Sequence, residues 1–173
     1  MNREELRMRR IAIQDANILI DLVKTGIFET CLGLSYQFAT TNIVLEELFP
    51  YQQELITPYI NSGRFISIQI SAAELNEIDL LTAEDTRMSI QDWSALYFAI
   101  KKEAILITGD KYMRAMAKKK AVEYHGIFWL FDELVENGTV SPKVALTYLE
   151  AIMNINKRLP SEEYKKRKIR WSG

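Results

Sequence analysis

An α/β fold, a five-stranded parallel sheet enclosed between two layers of helices, is predicted by three observations on this 173-residue chain. Short apolar or β-branched runs alternate with helical periodicities, which implies right-handed βαβ crossovers and a sheet covered on both faces. The helices open on recognisable caps. Hydrophobic residues make up 48% of the chain, enough to build a core without disulfides.

Ile11–Ile13 is apolar and reads as the first strand, ending at Asp15. Asn17 reads as the cap of a helix carrying Ile18, Leu19, Ile20 and Leu22, so that Asp15 precedes the cap, and Gly26 closes that helix. A short helical piece over 27–34 leads to strand two, Tyr36–Thr40. Thr41 or Asn42 caps a helix over 43–49, placing Glu46 and Glu47 in its early turns before Pro50 stops it. Residues 52–61 are helical, Ser62-Gly63 turns the chain, and Phe65, Ile66, Ile68 and Ile70 mark strand three.

Ser71 and Glu74 form a capping box that opens the next helix, and a polar loop over 82–88 follows it. Ser89-Ile90-Gln91-Asp92 repeats that logic, with Trp93, Leu96, Tyr97 and Ile100 as the buried stripe. Ala104–Thr108 is strand four, Gly109-Asp110 a turn, 111–120 a helix, and Val122–His125 strand five. Beyond Gly126 the pattern is helical: 128–136, then a helix capped by Ser141 with Pro142 at its first position and the face Val144, Tyr148, Ile152, Ile155. Pro160 breaks it, and Ser161 starts a basic terminal helix.

Cys31, the single cysteine, sits in an apolar helical setting and reads as a small buried hydrophobe, which suits a reducing compartment. No apolar run approaches the roughly 20 residues of a membrane span, and the charged first ten residues are unlike a signal peptide. These features predict a cytoplasmic protein without membrane association. The net charge of −1 conceals an uneven distribution. Seven Lys or Arg residues from 157 to 170 stand against Glu162 and Glu163, and the first ten residues are also basic. Such ends suit either a phosphate backbone or ordinary solvated helix faces.

In a parallel α/β sheet every returning helix begins at the carboxyl edge of the strands, where ligands bind at a topological switch point. Glu47 and Asp92 therefore share an edge with Asp15 and Asp110, and the four meet if strands one and four are neighbours. The reading requires Asp15 to lie within a side chain's length of Asp92 and Asp110. Gathered carboxylates repel one another, and an oxygen-only set suits Mg²⁺ or Mn²⁺. One histidine, His125, and one cysteine exclude the usual zinc ligand set. In such a site the metal activates water and stabilises the leaving oxygen of a phosphodiester. Each acid singly also serves as a helix cap or a first-turn charge.

Asp15-Ala16-Asn17, Val44-Leu45-Glu46-Glu47-Leu48, Ser89-Ile90-Gln91-Asp92 and Thr108-Gly109-Asp110, in this order and placement, resemble the PIN-domain nuclease family across about residues 11 to 130. The resemblance implies a sheet in the order 3-2-1-4-5 and a divalent-metal-dependent endoribonuclease of the VapC type, the toxin of a toxin–antitoxin pair. It implies Asp15, Glu47, Asp92 and Asp110 as catalytic and metal-holding acids with Mg or Mn, and Asn17, Ser89 and Thr108 as polar neighbours that support them or position substrate. Glu47 is preferred to Glu46 because it precedes Leu48, as the family's acid commonly does. Some relatives carry a further acid where this chain has Lys111, Tyr112 and Met113, which leaves the number of metals open.

The chain then divides into a basic arm (1–10), a PIN-like domain (11–140) and a helical extension (141–173) packed on the same domain. RNA is the expected substrate, and a small antitoxin protein or a second copy of the chain the expected partner. A non-catalytic PIN-like module that binds RNA or protein is the rival reading. A receiver domain would need paired acids after strand one, a haloacid-dehalogenase-like phosphatase Asp-x-Asp where Asp15-Ala16-Asn17 stands, and a Rossmann dehydrogenase a glycine-rich turn. Trp93 and Trp129 read as core residues rather than base-stacking ones.

Overall fold

The computed structural model describes residues 9–173, so most of the basic arm lies outside the described residues. Five strands, β1 (Arg10–Gln14), β2 (Tyr36–Thr41), β3 (Ile66–Ile68), β4 (Ile105–Ile107) and β5 (Tyr124–His125), form one sheet in the order β3-β2-β1-β4-β5. All four pairings are parallel. The chain moves outward from β1 through β2 to β3, then crosses back to place β4 on the other side of β1. That reversal puts Gln14 beside Ile107, and the Asp15 N–H continues the pairing by donating to the Ile107 carbonyl at 3.0 Å.

Consecutive residues Ala12, Ile13 and Gln14 are all fully buried. Since successive side chains on a strand point to opposite faces, both faces of the sheet are covered. The described helices are α1 (Ala16–Thr25), α2 (Phe28–Cys31), α3 (Asn42–Leu45), α4 (Pro50–Asn61), α5 (Ala72–Glu84), α6 (Ile90–Lys101), α7 (Lys111–Lys119), α8 (Ile127–Glu136), α9 (Pro142–Ile155) and α10 (Ser161–Trp171). Together with the sheet they make the three-layer α/β/α sandwich.

Three local expectations need correction. The helix predicted over 43–49 stops at Leu45, so Glu46 caps it and Glu47 lies in the following turn. Pro50 opens α4 instead of ending α3, because proline's fixed φ and missing N–H suit the first position of a helix. The buried stripe of α6 is wider than predicted: Ser94, Ala95, Phe98 and Ala99 are buried along with Trp93 and Leu96, while Ile100 is exposed. This helix lies across β1, β2 and β4 and is flanked by α5 and α7, so little of it meets water. In α9 the buried face is Ala145, Leu149 and Ile152, with Val144 and Ile155 exposed. α9 packs on α1, and the Asn156 amide donates to Asp21 Oδ2 at 2.7 Å just beyond its end.

Burial has pushed the Cys31 thiol up to about 12, consistent with an inert core residue. Trp93 is buried, with its indole N–H donating to the Asp85 carbonyl. No described helix is long and apolar enough to cross a membrane.

Much of the terminal positive charge is folded back on the chain. Lys165 and Lys166 pair with Glu162 and Glu163, while Arg167 and Arg170 both bond to Asp132 of α8. The Arg167 side chain is only 12% exposed and lies over the Phe128 ring. A half-buried carboxylate between two guanidinium groups therefore joins α10 to the body. Truncating Asp132→Ala leaves Arg167 with Glu163 as its remaining carboxylate and costs about 1–3 kcal/mol, read as a lowered denaturation midpoint with faster amide exchange across α10. Unchanged exchange in 161–171 would refute this role.

Candidate functional site

β1 ends and α1 begins with no intervening loop. The first N–H groups of a helix have no partner within it, and the residue before Ala16 must supply an acceptor. That residue is Asp15, whose Oδ1 accepts from the Ile18 N–H at 2.9 Å. Asp15 is therefore itself the cap, contrary to the expectation that Asn17 would serve. Asn17 instead lies exposed in the first turn of α1.

Asp15 Oδ2 accepts from the Thr108 hydroxyl at the end of β4, and Thr108 Oγ1 in turn accepts from the Asp110 N–H at 3.1 Å. Asp110 caps α7 through Oδ1, which takes the Met113 N–H at 2.7 Å. Asp92 forms its capping box as predicted: the Ser89 N–H donates to Asp92 Oδ2 and the Asp92 N–H to Ser89 Oγ. Thr108 thus links Asp15 to Asp110, and Ser89 fixes the backbone that carries Asp92.

Electrostatics ties these segments together. Asp15 is only 2% exposed, and burial raises its carboxyl to about 6. The Thr108 and Ile18 hydrogen bonds oppose that rise, whereas the charges of Asp92 and Asp110 both add to it. Glu47 is also raised, first by loss of solvent around its carboxyl and then by the Asp92 charge. A chain of like charges consequently runs from Glu47 through Asp92 to Asp15 and Asp110. Among the described residues no three His, Cys, Asp or Glu side chains converge closely enough to hold a metal ion as they stand. The hydrogen bonds give a reason, since Asp15, Asp92 and Asp110 each spend an oxygen on a helix start. The donor set nevertheless fits a hard divalent cation in chemistry: every candidate ligand is a carboxylate oxygen, and Asp92 and Asp110 each keep one oxygen without a hydrogen bond to a described residue.

Further polar residues support this edge: Thr41, one of the two predicted caps, does cap α3 by accepting from the Val44 N–H at 3.2 Å, whereas Ser94 and Gln14 carry no such sequence signal. Thr40 donates to the Gln14 carbonyl at 2.7 Å, and Thr41 shares a 2.7 Å hydrogen bond with Ser94 of α6. The signal was present in Thr40-Thr41, two adjacent hydroxyls closing the strand directly after the buried Phe38 and Ala39. Gln14 is fully buried, and neither of its amide atoms has a hydrogen-bond partner among the described residues. His125 ends β5, stacks on Trp129 at 4.3 Å and bonds to Glu123, while its backbone carbonyl accepts from the Thr108 N–H at 2.9 Å.

The arrangement defines a class: a parallel α/β sandwich whose switch point is rimmed by carboxylates from separate segments. The PIN-domain family model (DUF3368) matches residues 11–172, and the chain belongs to that family, whose members are generally hydrolytic nucleases that use divalent metals. A search of the curated proteins finds no match. Among solved structures, the chain is similar to PAE2754 from Pyrobaculum aerophilum, with 14% identity and a TM-score of 0.49 over 72% of this chain and 89% of the other. It is also similar to VapBC2 from Rickettsia felis, a structure bound to a DNA fragment from the promoter, with 15% identity and a TM-score of 0.42 over 67% and 98%. Both likenesses are distant, and membership of the family rests on the sequence match.

The raised Asp15 carboxyl has a consequence for stability. The folded-state value of about 6 exceeds the ordinary 3.8, so folding is penalised once the group ionises. The penalty is absent below 3.8, grows as pH rises, and is complete above 6, where it reaches about 3 kcal/mol. In metal-free protein, Asp15→Asn keeps the cap and removes the charge. It raises stability at pH 8 by about 1–3 kcal/mol with little gain at pH 4, measured by urea denaturation at both values; equal stability of the two proteins at pH 8 would refute it. Replacing the unpartnered amide, Gln14→Met stabilises by about 1–3 kcal/mol, read from the same denaturation curves, and a lowered midpoint would count against it.

Proposed function

We propose that this chain is a Mg²⁺- or Mn²⁺-dependent endoribonuclease that hydrolyses phosphodiester bonds at the carboxyl edge of β1 and β4. One observation carries the reading: the fold buries an aspartate at its switch point within the field of two further aspartates, at a cost to its own stability. A purely structural cap would be served without that cost by Asn or Ser, which are equally good at the position. Asp15, Glu47, Asp92 and Asp110 are the residues that would hold the cation. When bound, such a cation supplies the positive charge that phosphodiester hydrolysis needs.

The chain's own residues divide the remaining work. Thr108 holds one Asp15 oxygen by its hydroxyl, and Ser89 orients the turn that presents Asp92. Asn17, exposed at the same edge, offers a hydrogen-bonding amide to the substrate. The oxygens of Asp92 and Asp110 that are not engaged in capping are the ones available to ligate or to accept a proton. As the toxin of a toxin–antitoxin pair, the protein would act in the cytoplasm as a homodimer restrained by a small antitoxin protein. Family membership supports this part of the proposal.

Purified protein is expected to cleave single-stranded or structured RNA with Mn²⁺ or Mg²⁺ and to stop when the metal is chelated. Asp15→Asn and Asp92→Asn each lower the rate by at least about 100-fold, with folding retained. At limiting metal, activity falls as pH drops, because a proton on the buried Asp15 carboxyl competes with the cation, and raising the metal concentration restores it. RNA binding that is indifferent to metal and unaccompanied by cleavage would establish the binding-module reading instead.

A further inference from the structure

A site made only of acids repels the phosphates of its substrate, and one cation is built into its edge. Arg114 stands in α7, four residues after Asp110. Helical side chains lean toward the helix N-terminus, so Arg114 reaches back toward the strand end. Its Nε donates to the Thr108 carbonyl at 2.9 Å. Thr108 is the residue whose hydroxyl holds Asp15 and accepts from the Asp110 N–H. The same residue therefore anchors the guanidinium and the acids.

Gly126 completes the seat. A Cβ at this position would stand 2.1 Å from Arg114 Nη2. The backbone there has φ −125°, open to any residue, so a side chain at this position would be accommodated by displacing the guanidinium from its place. Arg10, Arg64, Arg87, Arg167 and Arg170 are each paired with a carboxylate. Arg114 has no such partner among the described residues, and its two terminal nitrogens make no hydrogen bond to them. A half-buried guanidinium fixed through Nε, with its terminal nitrogens uncommitted, matches the fork that binds phosphate oxygens.

We infer that Arg114 is a substrate-positioning residue that takes a backbone phosphate of the RNA strand beside Asp15 and Asp110. The inference rests on the nuclease reading above and adds a residue to it. Lysine would keep the charge but lose both the Nε anchor and the fork.

Two measurements test it, using a fluorescently labelled single-stranded RNA. In steady-state cleavage, Arg114→Gln raises KM by about 10-fold with kcat changed far less. Gly126→Ala, which keeps Arg114 but fills its seat, raises KM in the same direction, and Arg114→Lys falls between Arg114→Gln and the wild type. In binding, measured in Mg²⁺ on an Asp92→Asn background that blocks turnover, Arg114→Gln makes the slope of log Kd against log salt shallower by about 0.7, one phosphate contact on a single strand.

Unchanged KM and salt slope in a folded Arg114→Gln protein overturn the inference, as does a lowered thermal midpoint with binding intact. Should Arg114→Gln fail to fold, Gly126→Ala and Arg114→Lys carry the same comparison. Failure of the parent reading looks different: the wild type then cleaves nothing, while the Arg114-dependent salt slope persists. Absence of any RNA binding overturns both.

Discussion

The carboxylate of Asp15 is the constraint on which the site depends. It sits where β1 passes directly into α1, with one oxygen committed to the first turn of that helix and the other to Thr108 at the end of β4. Those two bonds join neighbouring strands at the point where the chain reverses direction across the sheet. Burial works against the charge, and the fold compensates only in part, because the nearest charged groups acting on Asp15 are also acids. The rest of the edge can be understood as the surroundings of this unfavourable charge. Hydroxyls from Thr40, Thr41, Ser94 and Thr108 satisfy the backbone and one another, while positive charge stays at the rim.

Features written in adjacent residues were readable from the sequence. Ser71 with Glu74 and Ser89 with Asp92 act within one helical turn, and Gly26 ends α1 in the left-handed conformation that glycine favours. The alternation of strands and helices likewise announced the parallel sheet. Features set by distant packing were not readable. The face of α9 depends on α1 more than a hundred residues away, and the breadth of burial on α6 depends on neighbours on both sides. The cap at Asp15 was misplaced for a related reason, since a strand that enters a helix without a loop leaves no turn signal to mark the boundary.

The four acids illustrate the same division. Their place at one edge followed from topology, because helices returning to a parallel sheet must start there. Their mutual field required coordinates. Glu47 moved from a predicted helix into a turn, yet still lies within the influence of Asp92. Arg114 and Gly126 lie twelve residues apart on different elements, and no local pattern joins an arginine in a helix to a glycine after a strand. The basic tail shows the converse, since a conspicuous run of positive charge is largely consumed by Asp132, Glu162 and Glu163.

The capping role of these aspartates bears on how such a site can be lost. Asn serves a helix start as well as Asp does, so a single exchange at Asp15 silences the charge while leaving the architecture whole and relieving its strain. Descendants of this chain could therefore drift into inert scaffolds without ever passing through a misfolded form. Stability alone therefore gives no reason for an acid at that position.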